Sequence, residues 1–321
     1  MYSSPIIRCA MHPAAPSLKT IAVNCGCQSF GIAAALGALL PSAVVAPQPL
    51  PTQWSDAAQE RACALQLSHL DVWVTTSHTD LLDRHLGCDP AQRPRVITVP
   101  SIHFAAFHPD ICYATRSSTA ELTEHHYNSA IAVWAYRHGV PAEAAQHLFN
   151  DRVFRGLGYY RGWNAQVRAL QQAFAESQLH AHFDAFFLRV QRTGSFMHSC
   201  NHPRIHVLVR LAQIIAQELG CAPAVLEQHI EVDDFLSQDS WPLYPEVARS
   251  LSIPGGSYRW RFKTHTLLDG VRAYLDFAYS AYQGQGIAPD DIAVFAWAGD
   301  RYDRSDALYD RVLGAELARA A

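Results

Sequence analysis

The sequence predicts an α/β fold built on a parallel sheet. Three features carry this expectation: short apolar runs that alternate with helical spacings up to Pro100, proline and glycine at their junctions, and a change to mostly helical periodicity from about residue 118. Strands are expected over 19–23, 42–46, 71–76 and 95–99, and helices over 30–40, 55–67 and 79–86. Gly26 suits a tight turn between the first strand and the first helix, with Ser29 as the helix N-cap and Ser55 capping the next. Pro47, Pro49 and Pro51 end the second strand, and Pro100 closes the fourth.

Farther along, helices are expected over 119–138, 141–151, 162–176, 178–192, 203–219, 266–283 and 305–320, punctuated by Pro141, Gly194 and Gly220. The stretch 232–262 is loop-rich. The expected organisation is an N-terminal arm (1–18), an α/β part (19–117) and a mostly helical part (118–321) packed on it as one continuous unit, since no clean linker separates them.

Composition narrows the function classes. Hydrophobic residues make up 49% of the chain and charged residues 17%, with a formal net charge of -4, so the broad basic field that nucleic acid demands is absent. The apolar run 30–40 stops at Pro41, short of the roughly 20 residues of a spanning helix, and no signal peptide is visible. Eight cysteines spread through hydrophobic segments favour reduced thiols, and the expected location is cytoplasmic.

Ligands of parallel sheets bind outside the carboxyl ends of the strands. The first strand delivers Cys25, Gly26, Cys27, Gln28 and Ser29 there, the third delivers Thr75, Thr76, Ser77 and His78, and the fourth leads to Ser101, His103 and His108-Pro109-Asp110. A thiolate at a helix start is favoured by the helix dipole and free N–H groups, which can also hold a phosphate or an acyl oxyanion. The plainer reading is two small thiols buried in a turn.

Around residue 200, Asn201 can cap the following helix and Pro203 suits its first turn, so His202 is aimed rigidly and Arg204 offers a phosphate fork; the plainer reading is an ordinary helix start. In the segment from His103 to Asp110, His108 and Asp110 offer a second imidazole and an orienting carboxylate, or simply a turn. Tyr258-Arg259-Trp260-Arg261-Phe262-Lys263 alternates rings and cations, as suits a phosphate-bearing heterocycle or an edge strand with a solvated face. No G-x-S-x-G, P-loop, G-x-G-x-x-G or H-E-x-x-H motif is present, and neither Glu124-His125-His126 nor Asp233-Asp234 has metal-ligand spacing, so no metal is expected.

Taken together, Ile21-Ala22-Val23-Asn24-Cys25-Gly26-Cys27-Gln28 before an apolar helix, then Pro100, Phe104, His108-Pro109-Asp110, Asn201-His202-Pro203 and Tyr244-Pro245 in that order, resemble the WcbI-type polysaccharide biosynthesis proteins of bacterial capsule clusters. The family's turn reads Gly-Asn-Cys-Gln; here Cys27-Gln28 keeps the adjacency and the distance to the helix, with Cys25 the alternative. The resemblance implies an SGNH-like subdomain in a helical surround, with a deep pocket for coenzyme A. It further implies acyl transfer from acetyl-CoA to the hydroxyl of a sugar, nucleotide-sugar or polysaccharide acceptor, in association with capsule assembly proteins. On that reading Cys27, His202, Asn201, His108 and Asp110 form the catalytic set. Cys25, Gln28, Ser29, Ser77, His78, Arg204, Tyr244, Arg261 and Lys263 contact the coenzyme. A thioesterase or deacetylase, and a non-catalytic ligand-binding component, are the competing readings.

Overall fold

The computed structural model describes residues 20–48, 56–77, 80–86, 93–116, 127–222, 227, 229–263, 266–297 and 306–320. The expected N-terminal arm, His78 and Ser55 lie outside them. Four short strands form the first sheet: β1 (Thr20–Asn24), β2 (Val44–Pro47), β3 (Val72–Thr75) and β4 (Arg95–Thr98). They pair in parallel in the order β2-β1-β3-β4, with Ile21 beside Val44's neighbour Val45 on one side and beside Val72 on the other. Each lies within a few residues of its expected place.

Alternation along the strands decides which layer each side chain joins. Ile21, Val23, Val72 and Val74 enter the main core, whereas Ala22 and Trp73 point to the opposite face, against Ala64, Leu67, Leu81 and Leu82 of α2 (Ala57–Ser68) and α3 (Leu81–Leu86). Asp56 caps α2 by accepting from Gln59 N at 2.7 Å. The main-core face is covered by α1 (Ser29–Leu39), whose Ile32, Ala33, Ala35, Leu36 and Leu39 are all buried.

A second, antiparallel sheet lies outside the sequence expectation. β5 (Ile111–Arg116) pairs with β6 (Asn128–Ser129) on one side and with β9 (Ile292–Trp297) on the other, with a register irregularity between Tyr113 and Ala114. These pairings cross residue 117 and tie the expected α/β part to the helical part. The helix expected over 119–138 is correspondingly shorter: α4 runs from Ala130 to Arg137, with Ser129 as its N-cap.

The remaining helices are α5 (Ala142–Ala145), α6 (Asp151–Gly156), α7 (Trp163–Glu176), α8 (Phe183–Gln191), α9 (Ile205–Glu218), α10 (Pro245–Ser250), α11 (Val271–Gly284) and α12 (Asp306–Ala320). The stretch expected to open α11 is instead β8 (Leu267–Asp269), paired with β7 (Arg259–Arg261) as a hairpin. Among the described residues no helix is long and apolar enough to cross a membrane.

Helix α9 packs directly on α1, and the contact is close at Gly31. A Cβ built there would come within 2.5 Å of Leu208 Cδ1 and 3.2 Å of Ile205 Cδ1. A β-branched residue overpacks this crossing. Gly31→Val is expected to lower unfolding stability by about 1–3 kcal/mol in urea titrations, whereas Gly37→Ala, where a Cβ meets nothing within 4 Å, should leave the midpoint unchanged or raise it.

Candidate active site

The order β2-β1-β3-β4 places a topological switch between β1 and β3, whose carboxyl ends diverge toward opposite edges. The chain leaving β1 there makes a single 3₁₀ turn, Gly26–Gln28, that runs straight into α1. Gly26 has φ +55, the left-handed conformation a glycine adopts without penalty. Ser29 is not the N-cap of α1. Its hydroxyl accepts from Cys25 N at 2.7 Å and donates to Gly26 O at 2.7 Å, so it closes the turn from within.

The turn separates its two thiols. Cys25 is buried and Cys27 is exposed. Burial pushes the Cys25 thiol far above its ordinary range. Cys27 is also raised: partial burial is the main cause, opposed by its own backbone N–H and by the Lys263 ammonium. The expected stable thiolate is therefore not what the turn produces at rest. Cys27 is a neutral thiol at neutral pH.

Gln28 points inward and joins three segments. Its Nε2 donates to Ile102 O at 3.1 Å and to Asn201 O at 3.2 Å, and its Oε1 accepts from Ile102 N at 3.2 Å. It is 2% exposed, so its side chain positions the site and does not reach a ligand. Asn24 does similar work one step earlier, donating to Gln48 O and accepting from the Thr75 hydroxyl at 3.0 Å.

Gln28 brings the 198–204 segment against the cysteine turn. Asn201 does not cap α9, which begins at Ile205 after Arg204. Its Oδ1 accepts from the Tyr127 hydroxyl and from Ser199 Oγ at 3.2 Å. The His202 ring packs edge-on against Tyr127, with centroids 5.6 Å apart. Tyr127 and Tyr113 stand next to one another at 5.8 Å, and Tyr113 shares a 3.3 Å hydrogen bond with Cys200 Sγ. Both phenols and Cys200 lie close enough to Cys27 that ionising one would oppose ionising the others. Burial raises both phenols well above the ordinary range and pushes the Cys200 thiol up to about 12. The cluster around Cys27 is thus neutral apart from Lys263, which pairs with Asp239 across 3.7 Å.

The carboxylate–imidazole pair expected from Asp110 is made by other residues. Asp110 is fully buried and accepts from Tyr159 at 2.7 Å, Tyr244 at 2.8 Å and Ile131 N at 3.2 Å. Burial raises its carboxyl, and these donors oppose the rise. Two phenols, the Ser129 hydroxyl and an amide occupy its oxygens, so it orients no imidazole. Tyr244 is correspondingly a core residue, stacked on Phe154 at 5.5 Å, and does not face a coenzyme. His108 is buried as well; desolvation first, then the nearby charges of His198 and Arg204, push it down to about 3. It is neutral throughout the working pH range and cannot shuttle a proton by titrating there.

The observed pair is His198 Nε2 with Asp234 Oδ2 at 2.8 Å. The same Asp234 oxygen accepts from Ile205 N at 3.2 Å and so caps α9. Burial disfavours the Asp234 charge, yet the His198 hydrogen bond, its charge and the Ile205 N–H hold the carboxyl below its usual range.

In the 258–263 segment, strand period two settles which side chains face out. Trp260 and Phe262 are buried, stacked on Tyr274 at 4.4 Å and on Phe277 at 5.2 Å, so these rings are unavailable to a heterocycle. Arg259, Arg261 and Lys263 are exposed. The hairpin reaches the site because Ser240 and Arg261 exchange backbone hydrogen bonds and Trp241 N donates to His198 O. Ser77 is exposed at the end of β3, and Arg204 is exposed beside α9. Among the described residues no group of three or more His, Cys, Asp or Glu is placed to hold a metal ion.

A parallel doubly wound sheet with a thiol-bearing turn at its switch point is a ligand-binding α/β architecture. Residues 20–224 match the model of the family described as polysaccharide biosynthesis enzyme WcbI. The chain therefore belongs to the WcbI family of polysaccharide biosynthesis enzymes. A solved structure of WcbI, described as a polysaccharide biosynthesis enzyme in its native form without a disulfide bond between coenzyme A and a cysteine, aligns with a TM-score of 0.63 at 15% identity, covering 94% of this chain and 99% of that one. No curated protein in the comparison matches this chain.

Two outcomes test the site. Alkylation of Cys27 by iodoacetamide, followed by peptide mass spectrometry, should rise with pH to a midpoint above the ~8.5 of a free cysteine. Because Lys263 lowers that midpoint, Lys263→Ala should slow the reaction at any fixed pH below it. Removing the Gln28 amide strands buried groups of Ile102, so Gln28→Ala should lose about 1–3 kcal/mol of stability in chemical denaturation.

Proposed function

We propose that the chain is a CoA-dependent acyltransferase that O-acetylates a sugar during capsular polysaccharide biosynthesis. The observation that carries this reading is the exposed Cys27 at the sheet's switch point, with Lys263 close to its sulfur and the Tyr127-braced Asn201-His202 segment beside it. Membership of a family of polysaccharide biosynthesis enzymes supplies the substrate class, and the named WcbI structure supports coenzyme A as the partner. With acetyl-CoA as donor, the reaction belongs to the cytoplasm, alongside the capsule assembly proteins that provide the acceptor.

The neutral state of Cys27 favours direct transfer over an acyl-cysteine. In that sequence His202 takes the proton of the sugar hydroxyl as its oxygen attacks the thioester carbonyl. The carbonyl oxygen gathers charge against the Gly26 and Cys27 N–H groups that open the 3₁₀ turn; with Cys27 a neutral thiol, its own N–H is available to that oxygen. The C–S bond then breaks, and the CoA sulfur leaves with the proton from the His202 imidazolium. Cys27 borders the thioester and shapes the site. Arg204, Arg261 and Lys263 are the exposed cations for the CoA phosphates. An SGNH-like subdomain with a deep coenzyme pocket belongs to the same proposal.

Calorimetry with CoA and acetyl transfer to a saccharide acceptor test the reading together. His202→Ala should lower kcat by 10²–10⁴-fold, and Cys27→Ala by less than about tenfold. Equal, large losses in both variants point instead to an acyl-cysteine. Release of CoA with no acceptor present assigns a thioesterase. A purified protein that neither binds CoA nor turns over acetyl-CoA overturns the proposal.

A further inference from the structure

The cysteine turn has a neighbour that the transfer reaction leaves unused. Phe30 stands on the first turn of α1, three residues after Cys27, and is 46% exposed. Phe235, next to the Asp234 that caps α9, is 44% exposed. The two rings meet at a centroid distance of 6.3 Å and an interplanar angle of 40°. Every other Phe, Tyr or Trp whose side chain is described is buried or partly buried. Isolated exposed apolar residues are ordinary, but two exposed rings in mutual contact, contributed by different segments, form a patch, and such patches mark binding surfaces.

Position and shape select the ligand. The backbone is helical from Gln28 through Ser29 into α1, so Cys27 and Phe30 share a face, with Cβ atoms about 5–6 Å apart. A six-membered ring laid on Phe30 therefore has its substituents within reach of the Cys27 sulfur. The rings touch each other at a tilt, so no slot opens between them for a planar base to slide into. They offer an open, V-shaped apolar floor, which suits the C–H face of a sugar ring whose hydroxyls point to the sides and to solvent. The exposed cations assigned to the coenzyme's phosphates, Arg204, Arg261 and Lys263, belong to other segments and leave the two rings themselves uncharged.

We infer that Phe30 and Phe235 form a stacking platform for a pyranose ring of the saccharide acceptor, holding one of its hydroxyls beside Cys27. The inference rests on the proposed transfer reaction only for its choice of a saccharide, and binding can be measured with no coenzyme present. Saturation-transfer NMR with methyl glucopyranoside, methyl mannopyranoside and methyl galactopyranoside as probes should show transfer to the ring C–H protons of at least one of them. Phe30→Ala and Phe235→Ala should each weaken that signal tenfold or more, and Phe30→Trp should restore it. CoA affinity by calorimetry should stay within twofold of the parent in both alanine variants. Circular dichroism should show both folded, since neither ring belongs to the core.

Absence of pyranoside binding to the parent protein, or binding that survives both alanine substitutions, overturns the inference. So does a tenfold loss of CoA affinity in the alanine variants, which assigns the rings to the coenzyme's base. A parent protein that binds a pyranoside through these rings but does not bind CoA upholds the platform while the transfer reading fails.

Discussion

The site depends on the carboxamide of Gln28. One side chain donates to two carbonyls and accepts from one amide, and in doing so pins the cysteine turn to the loop after β4 and to the Asn201 segment before α9. These three stretches are far apart in sequence, and although the turn and the Asn201 segment each close on themselves, it is Gln28 that ties them to one another and to the loop after β4. A buried amide with unmet hydrogen bonds is expensive, so the three must close together or not at all. Everything of chemical interest, from the exposure of Cys27 to the placement of His202 against Tyr127, follows from that closure.

Around this junction the protein keeps charge to the margins. Tyr113, Tyr127, Cys25, Cys27 and Cys200 all have their proton affinities raised chiefly by burial, and none of them is ionised near neutrality. The charged Lys263–Asp239 pair sits at the rim, and the Asp234 carboxylate accepts the hydrogen bond of the buried His198. On the proposed reading such an interior suits an uncharged thioester and a sugar hydroxyl, because charge would develop there only in the transfer step and would meet oriented N–H groups. Asp110 follows the same rule at the core: hydroxyl and amide donors from Ser129, Tyr159, Tyr244 and Ile131 surround it, and no cation is spent on it.

The first half of the fold was legible because its strands and helices are written in local periodicity. Val72–Thr75 and Arg95–Thr98 announce themselves as short β-branched runs, and the prolines around residue 50 end β2 regardless of tertiary context. The antiparallel sheet was not legible. β6 is two residues long, and β5 finds β9 only across most of the chain, so no window of sequence contains the pairing. The site divides in the same way. The cysteine turn and the Asn201-His202 segment carry motifs, and the structure brings them together. Tyr113 and Tyr127 stand alone in their segments and meet Cys27 only through β5 and β6. Asp234, not Asp110, pairs with an imidazole for a simple reason: a sequence shows that a carboxylate follows a strand or a loop, but not whether phenols or an imidazole will surround it. His198 and Asp234 are 36 positions apart, and nothing local links them. In the 258–263 segment the alternation was visible, and burial then reversed its meaning by turning the rings inward.

The central claim is that the coenzyme's sulfur comes to the turn at the switch point, on the side of the exposed cysteine. A crystal structure of the protein with CoA bound tests it most directly. The CoA sulfur is expected in contact with Cys27 Sγ, with the pantetheine chain running past His202 and the phosphates toward Lys263. A CoA sulfur next to Cys25 behind a rearranged turn, or CoA seated in the cleft of about 430 Å³ between α9 and residues 229–232, contradicts it.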